Sequence, residues 1–124
     1  MGAENMGGGK GKPGPSLTFE VIEGPSSLVG KFGWFLPSVS LDEGVLVQPF
    51  GRDYLGFFLG RFEGLDLVSR AHMVASFDFD NGDVMMTDAG SKNGTKPEGI
   101  YLHRIGDRQT VSVAETISLE FRSW

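Results

Sequence analysis

The sequence predicts an all-β domain, a sandwich or barrel of about ten short strands. Three observations support this fold class. Apolar and polar residues alternate in several short segments, which is the period of a strand with one buried face. Glycine and proline, 19 and 6 of the 124 residues, recur between these segments as turn residues. No stretch shows a convincing apolar repeat of 3.6 residues, so no helix is predicted.

Residues 17–124 are predicted to form one domain, preceded by a flexible tail over residues 1–16. The tail is rich in Gly and Lys and has almost nothing apolar to bury. It contains a G-x-G-x-x-G spacing from Gly9 to Gly14, which matches a dinucleotide-binding fingerprint. However, no strand precedes it, and Pro13 removes an N–H that a phosphate would need. We therefore interpret the segment as a linker.

The first half of the domain contains apolar segments separated by Gly and Pro. Residues 17–23 alternate cleanly and predict a half-buried strand, and residues 45–50 predict another. Residues 26–44 predict one or two short strands within an enlarged connection, whose aromatic residues we assign to the core. Residues 57–59, Phe-Phe-Leu, are apolar throughout and predict a strand buried on both faces that ends before Gly60.

A hairpin dominates the second half of the domain. Residues 71–79 alternate, residues 84–87 form the return strand, and Asn81-Gly82 between them predicts a type I′ turn. Three further strands are predicted at residues 100–102, 109–113 and 117–121.

Composition narrows the possible functions. The chain has no cysteine, which excludes disulfide scaffolds, thiolate metal sites and cysteine nucleophiles. Its net charge of -5 disfavours a nucleic-acid partner, which needs a basic face. No apolar run is long enough to span a bilayer and no secretory signal is present, so an intracellular protein without a membrane partner is expected.

Metal-dependent and hydrolytic functions are not predicted either. The acidic turn that begins at Asp78 lacks the glycine and the closing glutamate at the positions of a calcium-binding loop. Only two histidines occur, His72 and His103, and Ser69 lies three residues from His72, which on an extended strand places their side chains apart. No nucleophile-elbow or zinc-protease motif is present. We expect no catalytic residue, no metal and no cofactor.

Polar side chains collect at the two ends of the predicted hairpin. Ser69 and Arg70 precede its first strand, Lys92 and Asn93 follow its second, and Arg61 lies shortly before. Because a hairpin brings its ends together, these residues are expected at one edge of a sheet. Hydroxyl, guanidinium and ammonium groups together suit an oxyanion, and an arginine can contact two phosphate oxygens at once.

Three short motifs in this part of the chain resemble, in order, those of the forkhead-associated (FHA) domain family. The resemblance extends to the loop before the third motif and to a Gly-Asp turn and two closing strands near the C-terminus. It covers residues 57–121 well and residues 17–23 loosely. After the third motif the chain continues Lys-Pro-Glu-Gly, where the family often has an apolar residue and a second Asn-Gly. The three motifs are Gly60-Arg61, Ser69-x-x-His72 and Asn93-Gly94-Thr95.

The resemblance implies a sandwich of two antiparallel sheets with about 10–11 short strands, whose loops at one end bind phosphothreonine peptides of partner proteins. By the same resemblance, Arg61 and Ser69 contact the phosphate, and Arg70 and Lys92 flank it. Asn93 is implied to hold the peptide backbone. Such a domain recognises the product of a Ser/Thr kinase and has no catalytic activity. Four further residues are implied to shape the loops: Gly60, His72, Gly94 and Thr95.

One alternative concerns the first motif. Gly51-Arg52 also fits it and leaves 16 residues before Ser69, whereas only seven separate Arg61 from Ser69. The later arginine is preferred because an apolar strand is predicted directly before it. The short connection that results, together with the acidic charge, leaves a second function open: a phosphate-independent scaffold or oligomerisation domain of the same fold.

Overall fold

The computed structural model describes residues 16–35, 45–78, 80–104 and 106–123. This part of the chain forms an all-β sandwich, and the predicted fold class is confirmed; it contains nine strands where 10–11 were expected. The predicted tail, apart from Ser16, and residues 36–44 of the predicted insertion lie outside the described residues. The elements are β1 (Leu17–Glu23), β2 (Phe32–Phe35), β3 (Val45–Phe50), helix α1 (Arg52–Leu59), a 3-10 turn (Leu65–Leu67), β4 (Met73–Asp78), β5 (Asp83–Asp88), β6 (Thr95–Lys96), β7 (Gly99–Leu102), β8 (Arg108–Val113) and β9 (Ile117–Ser123).

The strands form two antiparallel sheets that enclose one core. The first sheet has five strands in the order β2-β1-β9-β8-β6, and the second has four in the order β3-β4-β5-β7. Strand β4 shows the alternation that fixes the inner face, since Met73, Ala75 and Phe77 are fully buried and the residues between them are not. Aromatic rings join the two sheets, with the ring centroids of Phe19 and Phe50 at 5.4 Å in an edge-to-face arrangement.

The strand predicted at residues 57–59 is wrong, because this segment forms the second half of helix α1. Leu55 and Leu59, one helical turn apart, are buried. Phe57 lies on the opposite side, with 82% of its surface exposed. The apolar residues therefore follow a helical period. It extends over only eight residues between two glycines, which is too short to distinguish from a strand by pattern.

Helix α1 covers the outer edge of β2, the end strand of the five-stranded sheet. The Tyr54 hydroxyl donates a hydrogen bond to the carbonyl oxygen of Trp34 at 2.9 Å. The Tyr54 ring stacks on Phe35 with 4.6 Å between centroids. A Cβ atom at Gly33 would lie 2.6 Å from the ring of Phe58, so glycine at this position lets helix and strand approach. The helix thus occupies a sheet edge that would otherwise offer backbone groups to another strand.

The hairpin turns differ from the prediction. The type I′ turn expected at Asn81-Gly82 is wrong, because of these two residues only Gly82 has a positive φ, 77°. Asp78 shapes this connection instead, since its carboxylate accepts hydrogen bonds from the backbone N–H and the side-chain amide of Asn81 at 3.2 and 2.8 Å. Two consecutive positive φ angles, 54° and 55°, occur at Ala114 and Glu115 between β8 and β9.

Helix α1 is the longest helix in the described part of the chain. Its eight residues span about 12 Å, against roughly 30 Å for the hydrocarbon core of a bilayer. No helix among the described residues is long and apolar enough to cross a membrane. The same residues contain no group of three or more histidine or carboxylate side chains that could hold a metal ion.

Candidate ligand-binding site

Three strands of the four-stranded sheet end at the same level. Phe50, the last residue of β3, pairs with Met73 at the start of β4, and Met73 pairs with Asp88 at the end of β5. The connections over residues 51–72 and 89–94 therefore emerge from one end of the sandwich, which we call the loop end. They carry all the predicted site residues except Thr95, which begins β6.

Gly51 brings the first connection against the second motif. An ideal Cβ atom at this position would lie 2.0 Å from the carbonyl oxygen of Arg70 and 2.4 Å from that of Ser69. Only glycine fits such a contact with backbone atoms. The next residue, Arg52, donates its backbone N–H to the Ser69 carbonyl oxygen at 3.0 Å. Arg52 therefore lies directly beside the turn that carries Ser69.

The guanidinium group of Arg52 is held in place by the same connection. Its Nε donates to the Val68 carbonyl oxygen at 2.9 Å, and its Nη2 donates to the Asp66 carbonyl oxygen at 3.3 Å. These bonds use two of the five N–H groups of an arginine and leave three. A half-buried arginine fixed on two carbonyl oxygens presents its remaining donors in a defined direction, as recognition of an oxyanion requires.

Ser69 connects the two loops of the site. Its hydroxyl oxygen accepts a hydrogen bond from the backbone N–H of Lys92 at 3.1 Å, and its own hydroxyl proton remains available to a ligand. Arg70, the next residue after Ser69, and Lys92 are both exposed. Four of the five residues predicted to contact ligand, namely Ser69, Arg70, Lys92 and Asn93, are brought together in this way.

His72 is fully buried beneath these loops. Its Nδ1 accepts a hydrogen bond from the backbone N–H of Ser69 at 3.0 Å, so Nδ1 carries no proton. Its Nε2 therefore holds the proton of the neutral ring and donates it to the Gly94 carbonyl oxygen at 2.8 Å. The buried imidazole thus joins the second and third motifs, and each of its ring nitrogens forms a hydrogen bond.

Asp88 organises the loop that carries the third motif. One carboxylate oxygen accepts hydrogen bonds from the hydroxyls of Ser91 and Thr95, at 2.5 and 2.6 Å. The other accepts the backbone N–H groups of Gly90 and Ser91, at 2.9 and 3.0 Å. Burial alone would raise the pKa of Asp88, but these four bonds outweigh it and lower the pKa to about 2. The loop is therefore shaped before any ligand binds.

Asn93 binds the same connection that holds the Arg52 guanidinium. Its side-chain N–H donates to the carbonyl oxygen of Leu67 at 2.8 Å. Three successive carbonyl groups, those of Asp66, Leu67 and Val68, are thus bonded by Arg52 and Asn93. The Leu67 side chain between them is 47% exposed.

Arg61 does not share this cluster. It lies past the C-terminal end of helix α1, whereas Arg52 begins the same helix. Arg61 is exposed and forms no hydrogen bond or ion pair with the described residues. The buried strand that favoured Gly60-Arg61 as the first motif does not exist. A strand does end directly before the alternative first motif, since β3 is followed by Gly51-Arg52.

Two residues of the site were not singled out from the sequence. The sequence offers Arg52 only as an alternative, although the 16 residues between it and Ser69 are a usable signal. Asp88 begins the segment before the third motif that resembles the family's loop, and no role of its own was predicted for it. Its signal is an aspartate followed by Gly90 and Ser91, a pattern in which the carboxylate accepts backbone N–H groups two and three residues on.

No protein-family model matches this chain, and no curated protein sequence matches it. Among solved structures, the chain is similar to the crystal structure of Mycobacterium tuberculosis Rv1747 FHA-1, with a TM-score of 0.55 and 22% sequence identity. The similarity covers 89% of this chain and 97% of that chain. At this level of identity it concerns the fold. The chain thus has the fold of a forkhead-associated domain, with its three motif-bearing segments together at one end of the sandwich.

Proposed function

We propose that the loop end binds phosphothreonine-containing segments of partner proteins, with Arg52 and Ser69 as the phosphate ligands. The observation that carries the proposal is the Arg52 guanidinium, which is fixed on the carbonyl oxygens of Asp66 and Val68, directly before Ser69 in the chain, with three N–H groups remaining. Arg70, next to Ser69 in the chain, and Lys92, whose backbone N–H bonds the Ser69 hydroxyl oxygen, are the residues proposed to flank the phosphate and add positive charge. A phosphate group carries about -1.5 to -2 charges at neutral pH, so it is the ligand that this set of donors discriminates best.

The strength of such a site follows from the number of bonds it offers. Two or three charge-assisted hydrogen bonds, each contributing about 1.5–3 kcal/mol, suit a reversible complex that a kinase forms and a phosphatase removes. Asn93 retains its amide oxygen and one N–H, which can bind the backbone of the peptide. The half-exposed Leu67 beside it supports an apolar ligand residue close to the phosphothreonine.

The hydrogen bonds also favour recognition over catalysis. His72 contacts Ser69 through the backbone N–H and not through the hydroxyl, and its second nitrogen bonds Gly94. It therefore cannot take the proton of the Ser69 hydroxyl, as the base of a serine nucleophile must. One of the two observations behind the scaffold alternative was the short connection between the first motif and Ser69. That connection is short only if Arg61 is the arginine of the first motif, and it does not apply to Arg52.

Isothermal titration with four versions of one peptide tests the proposal. They carry threonine, phosphothreonine, phosphoserine or glutamate at the same position, within an oriented sequence selected from a phosphopeptide library. We expect micromolar binding of the phosphothreonine peptide and none of the threonine peptide. Equal affinity for these two would contradict phosphate recognition and would favour the scaffold function.

A further inference from the structure

A strip of four aromatic rings runs from strand β2 onto helix α1. The rings of Phe32 and Trp34 lie 6.3 Å apart, those of Trp34 and Phe58 4.9 Å, and those of Phe58 and Phe57 5.0 Å. Three of them are largely accessible, since Phe32 is 62% exposed, Trp34 43% and Phe57 82%. We call these four residues the aromatic strip. The sequence assigned Phe32 and Trp34 to the core, and this assignment is wrong because both lie on the outer face of the sheet.

Folding does not account for the strip. Burying a phenylalanine side chain stabilises a protein by about 1.5–3 kcal/mol. Phe57 contributes little of this stabilisation, because most of its surface is exposed to solvent. The three accessible rings expose about 400 Å² of largely apolar surface, given roughly 150–250 Å² for each aromatic side chain. A contiguous patch of this size is comparable to the largest found on monomeric proteins, and such patches commonly mark interaction sites.

Two cations lie at the end of the strip. The Lys31 ammonium group donates to the carbonyl oxygen of Leu59 at 3.5 Å, so it sits at the C-terminal end of helix α1. Arg61 follows two residues later, with its Cα within about 7 Å of that of Leu59. Neither side chain forms an ion pair within the described part of the chain, although Glu63 is two residues from Arg61 in the sequence. Exposed Glu20 pairs with Phe32 in the sheet, so a carboxylate also lies beside the β2 part of the strip.

We propose that the aromatic strip, with Lys31 and Arg61, binds an acidic segment of a partner protein that carries apolar residues. The apolar residues of the segment would cover the exposed rings, and its carboxylates would pair with the two cations. The two cations have no ion-pair partner in the described part of the chain, and the carboxylates of an acidic segment supply one. A second copy would bring its own cations together with exposed carboxylates such as Glu20, which pairs with Phe32 in the sheet, so the test includes a measurement of dimerisation. The strip is separate from the proposed phosphate site, since Arg52 begins helix α1 and Arg61 follows its end.

The test uses a synthetic peptide in which glutamate alternates with leucine and phenylalanine. One control peptide has lysine in place of glutamate, and another has serine in place of the apolar residues. Binding is followed by titration and by NMR shifts of the backbone amides. We expect the acidic apolar peptide to bind best and to shift residues 31–34 and 57–61. Phe57→Ser and the double change Lys31→Glu with Arg61→Glu should each weaken it at least about tenfold.

Two matched variants keep the result specific. Met85→Ser removes an apolar side chain, 47% exposed, from the four-stranded sheet, and Arg52→Ala removes the proposed phosphate ligand. Both should leave binding of the acidic peptide unchanged. Equal binding of the lysine peptide, or no effect of Phe57→Ser, would overturn the proposal. So would a concentration-dependent dimer, seen by sedimentation and abolished by Phe57→Ser, because it would assign the strip to a second copy.

Discussion

The loop end of the sandwich and the edge formed by β2 and α1 are built from different interactions. At the loop end, directed hydrogen bonds fix individual polar groups, as with His72 between Ser69 and Gly94. At the edge, ring contacts join the helix to the sheet and continue outward until Phe57 has most of its surface in solvent. Directed bonds leave little tolerance for substitution, whereas the outer part of a ring cluster can change without disturbing what lies beneath it.

This difference separates stability from binding at the two sites. At the loop end, the groups that hold the loops together also position the proposed phosphate ligands, so one substitution should affect both properties. At the edge, the exposed rings contribute little to the fold, so their removal should affect a partner only. Variants at both regions, together with matched controls, test that contrast.

Gly51→Ala should cause the largest loss. The added Cβ would lie 2.0 Å from the Arg70 carbonyl oxygen, and a backbone atom cannot move aside without displacing the Ser69 turn. We expect a loss of more than about 3 kcal/mol in the free energy of unfolding, measured with urea. Gly56→Ala is the matched control, because its Cβ would lie 3.6 Å from the nearest atom and alanine favours a helix. Similar effects of both changes would contradict the close contact at Gly51.

His72→Ala should cost about 2–4 kcal/mol of unfolding free energy, because it leaves a cavity and the Ser69 N–H without its partner. The Gly94 carbonyl oxygen would lose one of its two donors and keep the Ala114 N–H. The substitution should also weaken phosphopeptide binding by releasing the Ser69 turn. His103→Ala, at an exposed position, should change stability by less than about 0.5 kcal/mol. A stable His72 variant with normal peptide affinity would show that the imidazole does not organise the loops.

Asp88→Asn should lower stability by about 1 kcal/mol at pH 7, a value reduced for the partial exposure of the carboxylate. The pKa of Asp88 in the folded protein, about 2, is below its ordinary value of about 3.9. The contribution of the ionised group is therefore complete above about pH 4 and is lost as the pH falls towards about 2. Unfolding of both proteins across this range should show the difference between them shrinking. A difference that is constant with pH would contradict the role of the charge.

Phe57→Ser should have the smallest effect on stability, less than about 0.5 kcal/mol, because the side chain is 82% exposed. Phe35→Ala, at the fully buried end of the same ring cluster, should cost about 3–5 kcal/mol. Thermal unfolding of both variants checks the pair. A large loss with Phe57→Ser would mean that the strip belongs to the core and not to an interaction surface.

The two regions also differ in how far the sequence predicts them. Apolar and polar residues alternate regularly in the two strands of the hairpin, which pair as predicted. The Ser69 and Asn93 segments at its ends lie together in the structure, as the hairpin predicts. The β2–α1 edge was not predictable in the same way. A short run such as residues 57–59 is compatible with a strand or a helix, and packing of Tyr54 and Phe58 against β2 decides between them.

The choice of arginine depended on that edge. The Phe-Phe-Leu run predicts a strand before the first motif, and this prediction favours Arg61. Arg52 is distinguished by the close contact of Gly51 with the Ser69 turn, which lies 18 residues further along the chain. A contact over this separation cannot be predicted from a local sequence pattern. The exposure of Phe57 could not be predicted from the sequence either. An apolar residue in an apolar run is assigned to the core unless its neighbours in space are known.

Titration of a phosphothreonine peptide into Arg52→Ala and Arg61→Ala decides which of the two arginines binds the phosphate. Each variant is first checked for unchanged secondary structure, and Arg52→Lys is included because it keeps the charge but not the two-pronged geometry. We expect Arg52→Ala to lose affinity by about 100-fold, equivalent to roughly 2.8 kcal/mol, with Arg52→Lys intermediate and Arg61→Ala within about twofold of the original protein. Loss of binding with Arg61→Ala, while Arg52→Ala retains it, would contradict this account.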